Sequence, residues 1–514
     1  MKMHLSRSWT GIAVLAMLLG LQGCGGGGGG DSTAQSADSI RVSAVTDIPQ
    51  ESADNYDDNV NGLITGATLK NWIDNWLANR PAGITGKLVI LQATEGETNY
   101  KYIKPNGGSV YTYLSPSSEW IQTRDNGVVE TPSMVIDGPS MDALLKKYAI
   151  DPSKDMIVIS MGTASTSNAM AQGRIWYALR YWGVAKEHLA MLNGGNQWQN
   201  NQTGADTGPL SPAATYFATS GSTAPNNGTA SVKDLKVDNT ILQATFEDVI
   251  NVVKSTDIND KTDGILIWDA RNLGQYSSGE YVEKTEDTDT NTSGTQACAT
   301  AYCASAHPEN YIQFFQNNNS KGGHPNGTLQ LQYTHMLDST KGYSYRPKSE
   351  LATLLDGGTN ASGIGFVAGD YQLVGTGNAY QPGDVIYAYC ETTFRAMITG
   401  FASVAILGKP VRFYDGAMIE WNSLSSTQDG SGNLILPADS PWRTDRTDRS
   451  FFRYAKDSDP GTGAIGSNGV AQRYVTNAYA THADKIIRAD KQYKYGNNID
   501  TQGKSGIVAN PCGG

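Results

Sequence analysis

One pattern occurs twice in the chain and constrains its fold more than any other feature. It is an apolar run typical of a β-strand, a loop of small polar residues, a helix, and a second apolar run that ends in a glycine-containing turn. The first copy comprises residues 156–160, a loop to 172, a helix at about 173–182, and residues 189–195. The second copy comprises residues 385–389, a loop at Cys390, a helix at about 395–407, and residues 411–416. Because strand, crossover helix and strand form a parallel βαβ unit, the pattern predicts two homologous α/β domains, each with a central, mainly parallel sheet flanked by helices.

Other segments extend each copy into a whole domain. Strands of buried type at 87–91 and 264–268 come early in each copy, and helical spacing at 141–148 and 246–253 predicts helices that cover the sheets. A chain of 514 residues is also too long for one hydrophobic core. We predict an N-terminal domain at residues 59–210, a linker at 211–238 and a C-terminal domain at 239–425. The C-terminal domain contains an insertion at 283–322, and an irregular extension follows at 426–514.

The N-terminus is typical of an export signal. Lys2 and Arg7 precede an apolar stretch at 12–21, which leads to Leu-Gln-Gly-Cys24, a sequence that resembles a lipobox. We therefore expect residues 1–24 to be a lipoprotein signal whose Cys24 carries the lipid, with the chain anchored to a bacterial outer membrane on its periplasmic or cell-surface side. The alternative is an ordinary secretory cleavage that removes Cys24. Six glycines and a polar run follow, so residues 25–58 are predicted to form a flexible tether.

Charge and hydropathy narrow the range of partners. The formal net charge of −11 argues against nucleic acid, because phosphate neutralisation needs a surplus of Lys and Arg. It also means that an anionic substrate would be attracted only by a locally positive pocket. After the leader, no stretch is apolar for long enough to span a bilayer, so the expected membrane contact is the lipid anchor alone.

Four cysteines remain after Cys24. In an oxidising compartment Cys298 and Cys303 can close a short bridge, which would leave Cys390 and Cys512 unpaired, although pairing is not readable from sequence. No histidine follows Cys303, as haem attachment would require, and no second ligand pair is present for zinc. We therefore expect neither a metal nor a cofactor.

The loop at Cys390 carries a resemblance to a known family. Residues Tyr389-Cys390-Glu391-Thr392-Thr393-Phe394-Arg395-Ala396, between an apolar strand and a helix, resemble the active-site loop of rhodanese-type sulfurtransferases. Further motifs resemble this family in order and spacing: Asp269-Ala270-Arg271 with Tyr276, Gly323-His324-Pro325-Asn326-Gly327, and Tyr414-Asp415-Gly416 with Glu420-Trp421. Around Arg174 and Trp176 the first copy is similar to the non-catalytic N-terminal domain of tandem rhodaneses, and its equivalent loop at 161–172 has no cysteine. The resemblance covers roughly residues 60–425 and implies two tandem rhodanese-like domains.

The loop also has a chemistry of its own. A cysteine at a strand-to-helix turn meets inward-pointing amides and a helix N-terminus, which favour a thiolate and can hold an oxyanion or a persulfide. Arg395 would add a full positive charge, so Cys390 and Arg395 are the candidate catalytic residues. We expect the substrate to be bound by Glu391, Thr392, Thr393, Phe394, Arg271 and Gln275.

Two departures from the family bear on the substrate. Thiosulfate rhodaneses carry an arginine where Gln275 stands, and cationic residues where Glu391 and Thr392 follow the cysteine. If Glu391 points into the site, it repels a dianionic donor; if it points away, Arg395 and the amides suffice. A lone cysteine after an apolar strand can also be a small buried hydrophobic residue.

Two functions are consistent with these patterns. The first is an exported sulfurtransferase that moves sulfur, or selenium, from a small molecule through a Cys390 persulfide. A narrower resemblance, to the rhodanese-like lipoproteins of selenite/tellurite-reduction operons, implies a multihaem outer-membrane cytochrome complex as partner. The second is a non-enzymatic scaffold or binding subunit of such a complex, built on the same fold.

Overall fold

Two five-stranded sheets form the centre of the molecule. The computed structural model describes residues 40–255, 262–277, 323–425, 433–445, 449–452 and 475–496. The first sheet contains strands β1 to β5, at Gly62–Ile64, Leu88–Gln92, Val110–Leu114, Met156–Ser160 and Leu189–Leu192. The second contains β6 to β10, at Gln243–Ala244, Ile265–Asp269, Leu329–Gln330, Val385–Tyr389 and Val411–Tyr414.

The two sheets share one topology. The strand order is β1-β5-β4-β2-β3 in the first and β6-β10-β9-β7-β8 in the second, and neighbouring strands are parallel in both. Each order is first, fifth, fourth, second, third along its own segment. The prediction of two parallel-sheet α/β units is therefore confirmed, and the repeated order is what a duplicated unit would give.

Helices cover the sheets. They are α1 Gly66–Asp74, α2 Trp76–Asn79, α3 Gly138–Tyr148, α4 Thr166–Tyr181, α5 Asn196–Asn200, α6 Ala213–Tyr216, α7 Phe246–Ser255, α8 Leu273–Ser277, α9 Lys348–Leu355, α10 Ala396–Phe401, α11 Ala417–Ser425 and α12 Lys485–Tyr495. A stretch of π-helix, Ala402–Ile406, continues α10.

Short strand pairs lie outside the two sheets. Arg41–Val42 pairs in parallel with Val237–Asp238. The antiparallel pairs are Tyr102–Ile103 with Phe217–Ala218, Ile121–Asp125 with Glu130–Val135, Gly323–Pro325 with Ser450–Phe452, and Leu337–Asp338 with Ser344–Tyr345.

Alternation along the strands divides the described apolar side chains among three cores. In β2, Val89 and Leu91 face one core while Leu88 and Ile90 face another, as the two-residue period of a strand requires. The core that contains Val89 also contains Ile386 of β9, so it is shared by the two sheets. Two outer cores, under α1 and α2 and under α7 and α11, complete the layers.

The two halves meet where α4 packs on α10. A Cβ atom added to Gly173 would lie 2.7 Å from the Cβ of Met397, so the absence of a side chain there permits the close approach. The rings of Trp176 and Phe401 pack edge to face with their centroids 5.1 Å apart. This contact sets the second sheet, and with it the Cys390 loop, directly against the first half.

The helices differ in detail from their predicted positions. Helix α4 begins at Thr166, well before the predicted start near 173, because the Ser165 side chain caps it by accepting a hydrogen bond from the Asn168 amide (3.1 Å). The predicted loop at 161–172 is correspondingly short. The predicted helix at 395–407 is observed as α10 followed by the π-helix.

The segment predicted to be tether is folded in its described part. Arg41–Val42 pairs with Val237–Asp238, Ile48 is buried, and the Gln50 amide donates to the Val404 carbonyl (2.9 Å). Residues 40–58 therefore do not belong to a flexible tether. The prediction relied on their polar composition, which does not reveal the backbone hydrogen bonds that this segment forms. Residues 1–39, including Cys24, lie outside the described residues.

The predicted linker at 211–238 packs along the first half through its pairings with Tyr102–Ile103 and Arg41–Val42.

The C-terminal extension contacts both halves. Asp490 of α12 forms a buried ion pair with Arg124 (2.6 Å), and Ser450–Phe452 pairs with Gly323–Pro325. The insertion at 283–322, with Cys298 and Cys303, lies outside the described residues.

Within the described ranges, no helix is both long and apolar enough to cross a bilayer. The same residues contain no group of three or more His, Cys, Asp or Glu side chains placed to hold a metal ion.

Candidate functional site

Cys390 lies at the carboxyl end of β9, the central strand of the second sheet. Its thiol is free, and the residue is 1% exposed. Its carbonyl accepts a hydrogen bond from the Met418 amide of α11 (3.1 Å), which ties the start of the loop to the neighbouring turn. The carboxyl ends of parallel strands are where sites form in open α/β sheets, so the cysteine stands at the expected edge.

The loop from Cys390 to Arg395 contains an unusual backbone conformation. Thr393 has a φ of 66°, which is costly for a β-branched residue. Its hydroxyl donates to the carbonyls of Tyr414 and Asp415, both at 2.9 Å, and these contacts hold the residue in place. The backbone amides of Thr392, Thr393 and Phe394 donate no hydrogen bond to any residue that the structure describes. Backbone amides without an acceptor are the kind of donor that anion-binding loops use.

Glu391 is buried, and it forms an ion pair with Arg395. The Oε2 atom of Glu391 accepts hydrogen bonds from Arg395 Nη2 (3.1 Å) and Gln275 Nε2 (3.1 Å), and Arg395 Nη1 donates to Gln275 Oε1. Arg395 was predicted to lend the loop a full positive charge. Its guanidinium is paired with Glu391, and Gln275 from α8 forms hydrogen bonds with both side chains. Glu391 therefore turns inward, toward the arginine.

Arg271 contributes to a second buried pair beside the loop. Asp269 and Arg271 are both fully buried, and Asp269 Oδ2 accepts from Arg271 Nη2 (2.6 Å) and from the Tyr389 hydroxyl (3.1 Å). Although burial opposes it, the adjacent Asp269 carboxylate raises the pKa of Arg271. Arg271 therefore anchors the strand ends, and its charge is matched by Asp269.

Arg174 reaches the site from the first half of the molecule. It is fully buried, pairs with both carboxylate oxygens of Asp415 (Nη2–Oδ2 3.1 Å), and donates to the Ser133 carbonyl (2.8 Å). Its guanidinium also lies 5.7 Å from the centre of the Phe394 ring. The Thr393 hydroxyl donates to the Asp415 carbonyl. Arg174 therefore contacts the loop indirectly, through the residue to which Thr393 bonds.

The sequence analysis gave Arg174 no role in the site. The available signal was its position on α4 between Gly173 and Ile175, in a stretch that is otherwise apolar. An arginine on an apolar helix face is expected to be buried against acceptor groups, and a carboxylate is the strongest of these.

The structure thus brings together Cys390, Glu391, Thr393, Phe394, Arg395 and Gln275, with Arg271 at the neighbouring strand end. Thr392 is half-buried within the loop. Tyr276 and His324, quoted with the family motifs, are buried and stack with their ring centroids 3.7 Å apart.

Comparisons with known proteins found likenesses only among solved structures. No family model matches the chain, and no curated protein matches it. The Tum1 protein from Saccharomyces cerevisiae is 16% identical with a TM-score of 0.41, covering 72% of this chain and 97% of its own. The anaerobic ergothioneine biosynthesis enzyme from Chlorobium limicola, in complex with trimethyl histidine, is 13% identical with a TM-score of 0.42, covering 69% and 67%. SseA from Escherichia coli, described through the rhodanese fold and mechanism of 3-mercaptopyruvate sulfotransferases, is 13% identical with a TM-score of 0.37, covering 70% and 98%.

Proposed function

We propose that this chain is a rhodanese-like sulfurtransferase that carries sulfane sulfur on Cys390 as a persulfide. The observation that carries the proposal is the pairing of a free thiol at the end of β9 with a loop whose amides at 392–394 have no acceptor among the described residues. Such a cradle is suited to a sulfur anion in two forms, the thiolate before transfer and the persulfide after it.

The chemistry needs only two displacements at sulfur. The Cys390 thiolate attacks the outer sulfur of a donor, a sulfur–sulfur bond forms, and the donor's own sulfur–sulfur bond breaks as its electron pair leaves with the departing thiolate. A second nucleophile, a thiol or cyanide, then takes the outer sulfur and regenerates the Cys390 thiolate. No external oxidant or reductant is needed, because the transferred sulfur keeps its oxidation state.

The test compares Cys390→Ser with the parent protein. The parent protein should gain the mass of one sulfur atom on incubation with a sulfane donor and release thiocyanate on addition of cyanide, and Cys390→Ser should do neither. Cys512→Ser is the matched control, because it removes a cysteine outside the loop and should behave as the parent protein. Sulfur uptake that survives in Cys390→Ser would refute the assignment.

A second function is favoured by one observation. Cys390 is 1% exposed and the only full charge on its loop that would attract an anion, Arg395, is bound by Glu391. A buried, electrically balanced loop is also what a scaffold or binding subunit built on this fold would contain. That function predicts no persulfide with any donor and unchanged complex assembly in Cys390→Ser.

The proposal extends to location and partners. The lipobox-like Leu-Gln-Gly-Cys24 supports an exported chain anchored by lipid to the outer membrane, and the narrower family resemblance supports selenium as an alternative cargo and a multihaem cytochrome as a neighbour. The intact mass that reports bound sulfur also reports acylation, so protein extracted from membranes should carry acyl groups that Cys24→Ala lacks. An unmodified Cys24 in that spectrum would refute the anchor.

A further inference from the structure

Among the described residues, each arginine that contacts the Cys390 loop or its neighbouring strand end is bound by a carboxylate of its own. Arg395 pairs with Glu391 (3.1 Å), Arg271 with Asp269 (2.6 Å), and Arg174 with Asp415. In the last two pairs both side chains are fully buried. Each of these three positive charges is therefore matched by a negative charge in the described part of the site.

The Glu391 pair is the one that decides the charge at the loop itself. Glu391 directly follows the cysteine and is 1% exposed, so its carboxylate interacts with nearby charge with little screening by water. The uncharged side chain of Gln275 lies beside this pair and forms hydrogen bonds with both Glu391 and Arg395. A dianion entering this site would lose its hydration without meeting an unmatched positive charge among the residues that the structure describes, and both effects oppose binding.

We infer that Cys390 takes sulfur from organic persulfides whose departing part carries no carboxylate or sulfo group, and that it discriminates against thiosulfate and other donors whose departing part carries such a group. This inference rests on the proposed sulfur transfer and names the substrate class of the same site. In the step itself the donor's sulfur–sulfur bond breaks, its electron pair leaves with an organic thiolate, and the outer sulfur becomes bonded to Cys390. Glu391 is the specificity-determining residue in this selection, because its carboxylate pairs with the Arg395 guanidinium that would otherwise attract an anionic donor.

The experiment measures persulfide formation on Cys390 with three donors: mercaptoethanol persulfide, mercaptopropionate persulfide and thiosulfate. The first two are close in size and differ in a carboxylate. In the parent protein the mercaptoethanol compound should react with a kcat/KM at least about tenfold above that of either of the others, as expected for one unmatched charge at short range. Glu391→Gln retains an oxygen that can accept from Arg395 but frees its positive charge, so the preference should shrink by about tenfold, mainly through a lower KM for the two charged donors.

Two variants serve as controls. Glu391→Asp keeps the charge and should keep the parent preference, which separates charge from loop disruption. Glu350→Gln removes the carboxylate of another i,i+4 pair with an arginine, Arg346–Glu350 (3.2 Å), outside the loop and should also leave the preference unchanged. Equal rates with all three donors in the parent protein, or an unchanged preference in folded Glu391→Gln, would overturn the inference while leaving sulfur transfer intact. Absence of persulfide with every donor would instead refute the transfer itself.

Discussion

At the scale of single residues, Glu420 is a carboxyl group enclosed at the contact between the two halves. It lies on α11 of the second half, and its Oε1 accepts from Asn126 Nδ2 (2.7 Å) and Thr131 Oγ1 (3.2 Å) of the first half. Burial raises its pKa to about 7, with Asp415 adding to the rise and the hydrogen bonds opposing it. The folded protein therefore holds a proton at Glu420 more tightly than the unfolded chain does.

This proton makes stability depend on pH. The folded-state pKa of about 7 lies above the ordinary value of 4.5, so the folded state gains stability at low pH and loses it as pH rises through that window. Replacing Glu420 with Gln keeps the oxygen acceptor and removes the titration. The parent protein should lose unfolding free energy as pH rises from about 5 to about 8, and Glu420→Gln should not. The stability of the variant relative to the parent protein should therefore rise by up to about 3 kcal/mol across this range. Urea unfolding at both pH values measures this, with exposed Glu350→Gln as control; a difference independent of pH would contradict the assignment.

At the scale of elements, the contact between α4 and α10 fixes the loop against the first half. In Gly173→Ala the new methyl group would lie 2.7 Å from the Met397 Cβ and 3.4 Å from its carbonyl carbon. Alanine favours a helix interior by about 1 kcal/mol over glycine, but the overlap at the helix contact should outweigh this. We expect a net loss of about 1–3 kcal/mol in unfolding free energy, measured by urea denaturation.

Gly108→Ala is the control for this prediction, because a Cβ there meets no atom within 4 Å. It should change stability by less than about 0.5 kcal/mol. If Gly173→Ala proves as stable as the parent protein, the two helices must separate more easily than their packing indicates.

The elements also show what the sequence could reveal. Strands β4 and β9 were predicted at their observed bounds, because runs of buried aliphatic and aromatic residues mark central parallel strands. The start of α4 was missed because it depends on the Ser165 cap, a local hydrogen bond that the apolar pattern does not record. The position of Cys390 between a strand and a helix was predicted for the same reason as β9. The direction of Glu391 was left open, since it depends on Gln275, which is remote in sequence.

At the scale of the whole molecule, the two halves share a hydrophobic core and are joined by a buried ion pair. The shared core contains side chains of both sheets, and Arg174 and Asp415 join the halves within it. Each side chain is fully buried, so neither can be hydrated if its partner is removed. This coupling was not visible in the sequence, because the partners belong to different repeats.

Breaking this link should therefore damage both stability and chemistry. Arg174→Met leaves Asp415 buried without its cation and should cost about 3–5 kcal/mol of unfolding free energy, while adding Asp415→Asn should recover part of the loss. The half-exposed pair Arg346–Glu350 gives the control, since Arg346→Met should cost less than about 1 kcal/mol. Under conditions where Arg174→Met is still folded, persulfide formation on Cys390 should fall through kcat, because Arg174 contacts Phe394 and holds the Asp415 segment to which Thr393 bonds. A variant that is destabilised yet keeps the parent kcat would show that the first half supports the fold of the loop without setting its reactive geometry.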